Sequence, residues 1–157
     1  MEKRHVVIWG DDHHNALGLL RMLGGQGFEV VFLVQGAVNN IATASKYCTS
    51  YHFVRDVREG VDYLLANYTD KENKAVLLVT YDKYSEAVNS NLNRLIEFFY
   101  VPGPSIEGSL KGIDDKYTMG TMAQECGIKI PHTYLYPHNN LSEINCFPAV
   151  IKSTFQI

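Results

Sequence analysis

The chain has 157 residues, 46% hydrophobic and 20% charged, with a formal net charge of −3. This is a globular composition, and charge of that size and mixture excludes an electrostatic case for nucleic acid or an anionic membrane. The longest apolar runs are only about five residues, too short for a spanning helix, and acids follow Trp9-Gly10 before a signal-peptide core could develop, so a cytoplasmic protein is expected.

HVVIW (5–9) is short, β-branched and closed by Gly10, the pattern of a buried parallel strand. NALGLLRMLG (15–24) places apolar residues on one helical face, and Gly24, Gly25 and Gly27 end it. FEVVFLV (28–34) is a second strand, ATASKYC holds at most a helical turn, and YHFV (51–54) is a third strand. In REGVDYLLANY (58–68), Val61, Leu64, Leu65 and Tyr68 share an amphipathic stripe. AVLLVT (75–80) is the fourth strand, and YSEAVNSNLNRLIEFF (84–99) contains one or two helices. Alternation at this spacing predicts an α/β fold: a Rossmann-like, mostly parallel sheet with helices on both faces.

VPGP (101–104) marks a boundary. Beyond it, 113–127 reads as a helix with Asp114 as N-cap, Gly127 at the C-terminal cap, and Met119, Met122, Ala123 and Cys126 on one face. IPHTYLY (130–136) is extended, and FPAVIKS (147–153) reads as a strand. Nothing in the four residues after Ser153 can pair with it, and an unpaired strand is a liability, so the chain is expected to be part of a longer protein. Cys48, Cys126 and Cys146 lack CxxC spacing and are expected to be small buried hydrophobes, without disulfide or zinc.

GDDHHN (10–15) is the densest polar stretch. A dinucleotide loop needs GxGxxG and an acid at the end of the second strand; here Gly10 precedes charged side chains and the second strand ends at Val34-Gln35. No GxxxxGK[ST] is present. Adjacent Asp11, Asp12, His13 and His14 should diverge, which disfavours a metal site. A polar turn remains, with Asp12 or Asn15 capping the next helix. Because open α/β sheets bind ligands beyond the carboxyl ends of their strands, Asp11, Asp12, His13, Asn15 and Asp82 are the candidate substrate-facing residues. A second reading is a non-catalytic flavodoxin- or receiver-like module, with Asp56 near the end of the third strand.

The order of motifs adds a resemblance. An Asn15-Ala-x-Gly helix, Ala44-Ser-Lys-Tyr-Cys48, VLLVTYD (76–82), Asp115-Lys116, Glu125-Cys-Gly-Ile-Lys-Ile-Pro131 and Phe147-Pro-Ala-Val-Ile-Lys152 follow one another. The whole chain resembles the amino-terminal part of ATP-grasp enzymes, the carboxylate–amine ligases similar to D-aspartate ligase and the carbamoyl-phosphate synthase large subunit. The resemblance implies a preATP-grasp domain over 1–112 and the linker helix and first elements of an ATP-grasp domain over 113–157. It implies ATP as cofactor, with Lys116 and Lys152 on its phosphates, and Mg²⁺ held by residues outside this chain. It also implies carboxylate and amine substrates, a homodimer, and a fragment that is inactive alone; it identifies no catalytic residue here.

Overall fold

The computed structural model describes residues 5–11, 13, 14–36, 41–113, 115–136, 142, 144–145 and 147–153. Asp12, Asp114 and Cys146 lie outside these residues, and with them the roles expected of Asp12 and Cys146. The chain divides into two compact units, Met1–Leu110 and Lys111–Ile157.

The first unit is built on β1 (His5–Gly10), β2 (Glu29–Gln35), β3 (Ser50–Val54), β4 (Ala75–Val79) and β5 (Phe99–Tyr100). They form one sheet in the order β3-β2-β1-β4-β5, with every neighbouring pair parallel. The sheet is thus wholly rather than mostly parallel. Its helices are α1 (His14–Gly25), α2 (Val57–Asn67), α3 (Asp82–Asn89) and α4 (Leu92–Leu95).

Strand periodicity explains the two cores. In β1, Val6 and Ile8 point to one face, where they pack with Val30, Phe32 and Val34 of β2 and with Ala16 and Leu20 of α1. Val7 and Trp9 point to the other, joining Leu33, Leu77, Val61 and Leu64 of α2, Tyr84 and Val88 of α3, and Leu95 of α4. Each such side chain taken fully out of water contributes about 1.5–3 kcal/mol. Right-handed crossovers dictate which helix covers which face. β1→β2 runs one way across the sheet, and β3→β4 and β4→β5 run the other, so α1 lies opposite α2, α3 and α4.

Trp9 shapes its own surroundings. Its ring is fully buried and occupies the place where a Cβ on Gly60 of α2 would sit. Gly60 is therefore a close-approach glycine in a helix that would otherwise favour almost any other residue. The α2 N-terminus is closed by Asp56, whose Oδ1 accepts the Glu59 N–H at 2.8 Å, while Glu59 Oε2 accepts the Arg55 N–H at 2.7 Å. That bond from the Arg55 backbone, followed by the Arg55 side chain, holds Glu59 below the ordinary range for a glutamate.

Three expectations for the first unit need correction. Residues 99–100 form a fifth strand of this sheet, β5, not expected after the helical segment 84–99; it sets Phe99 in the core beside β4. α1 is capped by His13, whose Nδ1 accepts the Asn15 N–H at 3.3 Å; Asn15 sits one residue inside the helix and cannot be the cap. α1 also runs through Gly24 and Gly25, and of the three expected glycines it is Gly27, at φ +86° with its N–H on Gly24 O, that ends it.

In the second unit, α5 spans Lys116–Glu125. Asp115 Oδ1 accepts the Thr118 N–H at 2.6 Å, so the N-cap is Asp115 and not the expected Asp114. At the other end Gly127, at φ +74°, donates to Gln124 O, and Ile128 N–H donates to Ala123 O, the paired bonds of a Schellman cap. No residue of α5 is buried: Met119, Met122 and Cys126 are exposed, so Cys126 is not the buried hydrophobe expected. Cys48 is half-buried, its thiol pushed up by burial. Residues 147–153, expected as a strand, pair with no described strand, and Ile151 is 96% exposed; without a ladder partner an extended segment is not a strand. Among the described residues no helix is long and apolar enough to cross a membrane.

Candidate functional site

The strand order places a topological switch point between β1 and β4. From β1 the chain moves to β2 and β3 on one side and returns to β4 and β5 on the other. The chain leaving the carboxyl ends of β1 and β4 therefore enters helices on opposite faces of the sheet, and these two strand ends mark the crevice position at which open α/β sheets hold ligands. This order differs from the 2-1-3-4-5 order of flavodoxin-like and receiver folds. Asp56, the residue that suggested a receiver, is occupied as the exposed cap of α2.

The floor of the crevice is set by backbone contact. Thr80 N–H donates to Trp9 O at 3.1 Å, extending the β1–β4 ladder by a step. A Cβ on Gly10 would run into Thr80 Oγ1 and press on Ala16 and Phe32, so the strand end can turn here only as glycine. Immediately after it, His13 N–H donates to Asp11 O at 2.8 Å and tightens the turn into α1.

Asp11 is the residue on which the two loops converge. Its Oδ1 accepts a hydrogen bond from the Tyr84 hydroxyl, and its Oδ2 lies 3.0 Å from Lys83 Nζ. Tyr84 is fully buried and stacks on Trp9 with centroids 4.9 Å apart. Lys83 Nζ also lies over the rings of Tyr84 and Tyr81, at 4.8 and 5.4 Å from their centroids. A buried tyrosine thus holds the carboxylate from below, and a half-exposed lysine covers it from the solvent side. The ion pair itself is part-exposed and worth at most about 1 kcal/mol, so a charged ligand could open it at small cost.

The other expected residues lie around this centre. His13 and His14 are ring neighbours, with centroids 3.8 Å apart, so adjacent histidines here do not diverge as their spacing suggested. Asn15 is exposed on the first turn of α1. Asp82 is exposed as the first residue of α3, beside the N-cap Tyr81, which makes no side-chain capping bond. Among the described residues, no three histidine, cysteine, aspartate or glutamate side chains converge as a metal would require.

Lys83, Tyr84 and Trp9 belong to no motif legible in the sequence. The available signal was the Tyr84–Val88–Leu92 spacing, which turns Tyr84 inward. Nothing in one dimension places its hydroxyl against a residue 73 positions earlier.

In the second unit, Lys116 lines a polar cleft of about 390 Å³ together with Tyr117, Thr121, Gln124, His132 and Thr133. Lys152 is exposed in the irregular segment 149–153. No family model matches the chain, and no curated protein matches it.

Proposed function

We propose that the chain is the amino-terminal part of an ATP-grasp ligase that joins a carboxylate, or bicarbonate, to an amine or ammonia. In this reading the γ-phosphoryl group of ATP passes to a carboxylate oxygen, giving ADP and an acyl phosphate. The amine nitrogen then attacks the acyl carbon, and phosphate leaves with the oxygen it received. The observation that carries the reading is the cleft beside Lys116. An ammonium group at the start of a capped helix, with threonine, glutamine and histidine side chains around it, offers the donors that phosphate oxygens need.

The residues present fit ATP better than they fit Mg²⁺. Among the described residues no carboxylate cluster offers a divalent cation its oxygen ligands, and the reading assigns those ligands, with the flap over the phosphates, to chain outside residues 1–157. Lys152 would be the second phosphate contact. Within the Rossmann-like unit, Asp11 would take an ammonium group of the other substrate, with Lys83 and His13 beside it. The absence of GxGxxG supports a crevice for a small polar substrate over one for a dinucleotide.

ATP titrated calorimetrically into the 157-residue chain should bind weakly, with Kd on the order of 1 mM, and without hydrolysis. Lys116→Ala should remove the heat. Micromolar affinity, or binding unaltered in Lys116→Ala, would count against this assignment. A screen of the longer protein for phosphate release from ATP, across carboxylate and amine pairs, tests the reaction itself.

A further inference from the structure

The fifth strand stops after two residues for a reason that can be read from its register. Ala75 N–H donates to Phe98 O at 3.2 Å, and Val76 stands opposite Tyr100. Carried one step further, a parallel ladder needs the N–H of residue 102 for Leu77 O; carried on again, it needs that of residue 104 for Val79 O. Both residues are proline and have no N–H to give. The carboxyl half of β4 is therefore paired with β1 on one side and left without ladder donors on the other.

A cavity of about 210 Å³ lies at this place. Its walls are Leu77 to Val79 of β4, Val101 to Pro104, and the inner sides of α3 and α4 with Ser85, Val88 and Leu92. The lining is mainly apolar, and the volume exceeds the roughly 150 Å³ of an apolar cavity that admits benzene.

The outer wall is fixed in place. Asn89, which is buried, donates from Nδ2 to Ile106 O at 2.9 Å and accepts the Leu110 N–H at Oδ1 at 2.9 Å. Its own carbonyl accepts the Gly108 N–H at 3.1 Å. A wall held by a buried amide and stiffened by two prolines is preorganised, so little ordering is lost when a ligand enters.

We propose that this cavity is a binding site for a small apolar molecule carrying a single N–H or O–H donor. Its apolar body fills the space between β4 and α3, and its donor meets the Leu77 carbonyl that Pro102 leaves without a ladder partner. The site is separate from the crevice and does not depend on the ligase reading. It touches α3 one turn after Lys83 and Tyr84, which hold Asp11.

Indole and N-methylindole, titrated into the 157-residue chain and followed by amide chemical shifts, make the test. Indole should move the amides of Leu77, Val79, Ser85, Val88 and Val101 saturably, with Kd on the order of 0.1–1 mM. N-methylindole, with the same body and no donor, should bind about tenfold more weakly. Pro102→Ala restores the missing N–H to the ladder and should abolish indole's advantage, while the dispersion of the amide spectrum reports that the unit remains folded. The proposal is overturned by absence of saturable shifts with indole, by equal binding of the two probes, or by an indole advantage that survives in Pro102→Ala.

Discussion

Tyr84 does two things with one side chain. Its ring stacks on Trp9 inside the core, and its hydroxyl donates to Asp11 at the crevice. Tyr84→Phe keeps the stack and leaves one carboxylate oxygen short of a donor, so it should cost about 1–2 kcal/mol, whereas Tyr84→Ala should cost about 3–5 kcal/mol. Urea titration followed by fluorescence separates the two, since Trp9 is the only tryptophan. Gly60→Ala sets a methyl against the Trp9 ring and should cost about 1–3 kcal/mol despite the better helix propensity of alanine; unchanged or raised stability would show that the ring has room to move. Tyr68, packed against Phe99, has its phenol pushed up to about 12 by burial. A group whose folded value is raised gives stability that is complete below its unfolded value and lost through the folded one. Stability should therefore fall between pH 10 and about 12, and Tyr68→Phe should flatten that limb of an alkaline unfolding curve.

The helices differ in what stabilises them. α2 has both a cap and a buried face, with Gly60, Val61 and Leu64 inside. Asp56→Ala should cost about 1 kcal/mol and leave the helix in place, as circular dichroism and urea titration can show. α5 has caps at both ends and no buried residue, so its caps matter relatively more. Asp115 is held below its ordinary value of 3.8, chiefly by the Thr118 N–H. The sign follows from that direction: the contribution is full above pH 3.8 and is lost as pH falls through the depressed value. Helicity of a 111–157 peptide should drop below pH 3.8, and Asp115→Asn should weaken that dependence. Helix α5 also shows why a carboxyl end is legible in sequence while the start and the covered face are not: its cap is Asp115, one residue after the expected Asp114. Gly127 is legible because a Schellman turn asks for positive φ. The Met119–Met122–Cys126 stripe has helical spacing, but spacing cannot say whether anything covers it.

At the scale of the molecule, the two units have unequal cores. Every buried hydrophobic side chain among the described residues lies in Met1–Leu110. That unit owns a sheet covered on both faces, so a chain ending at Leu110 should unfold at the urea midpoint of the full chain when followed by Trp9 fluorescence. A lowered midpoint would show that the core of 1–110 is insufficient by itself. The five parallel strands also account for an unused edge: β5 is cut short by Pro102 and Pro104, and the space beside β4 is the cavity assigned above to a small ligand.

The amino-acid sequence alone determined the α/β alternation, four of the five strands, the helices facing them and the loops at the carboxyl ends of β1 and β4. These follow from period and punctuation, which are local properties of the chain. It also ruled out a dinucleotide loop, since that loop is defined by glycines at fixed spacing. Only the tertiary structure decided the strand order, and with it the position of the switch point. Only packing could put Trp9 against Gly60, the Tyr84 hydroxyl on Asp11, and the Lys83 ammonium group over both. These contacts join residues that are dozens of positions apart, and pairing of that range is selected by burial of whole faces, which no single stretch of sequence contains.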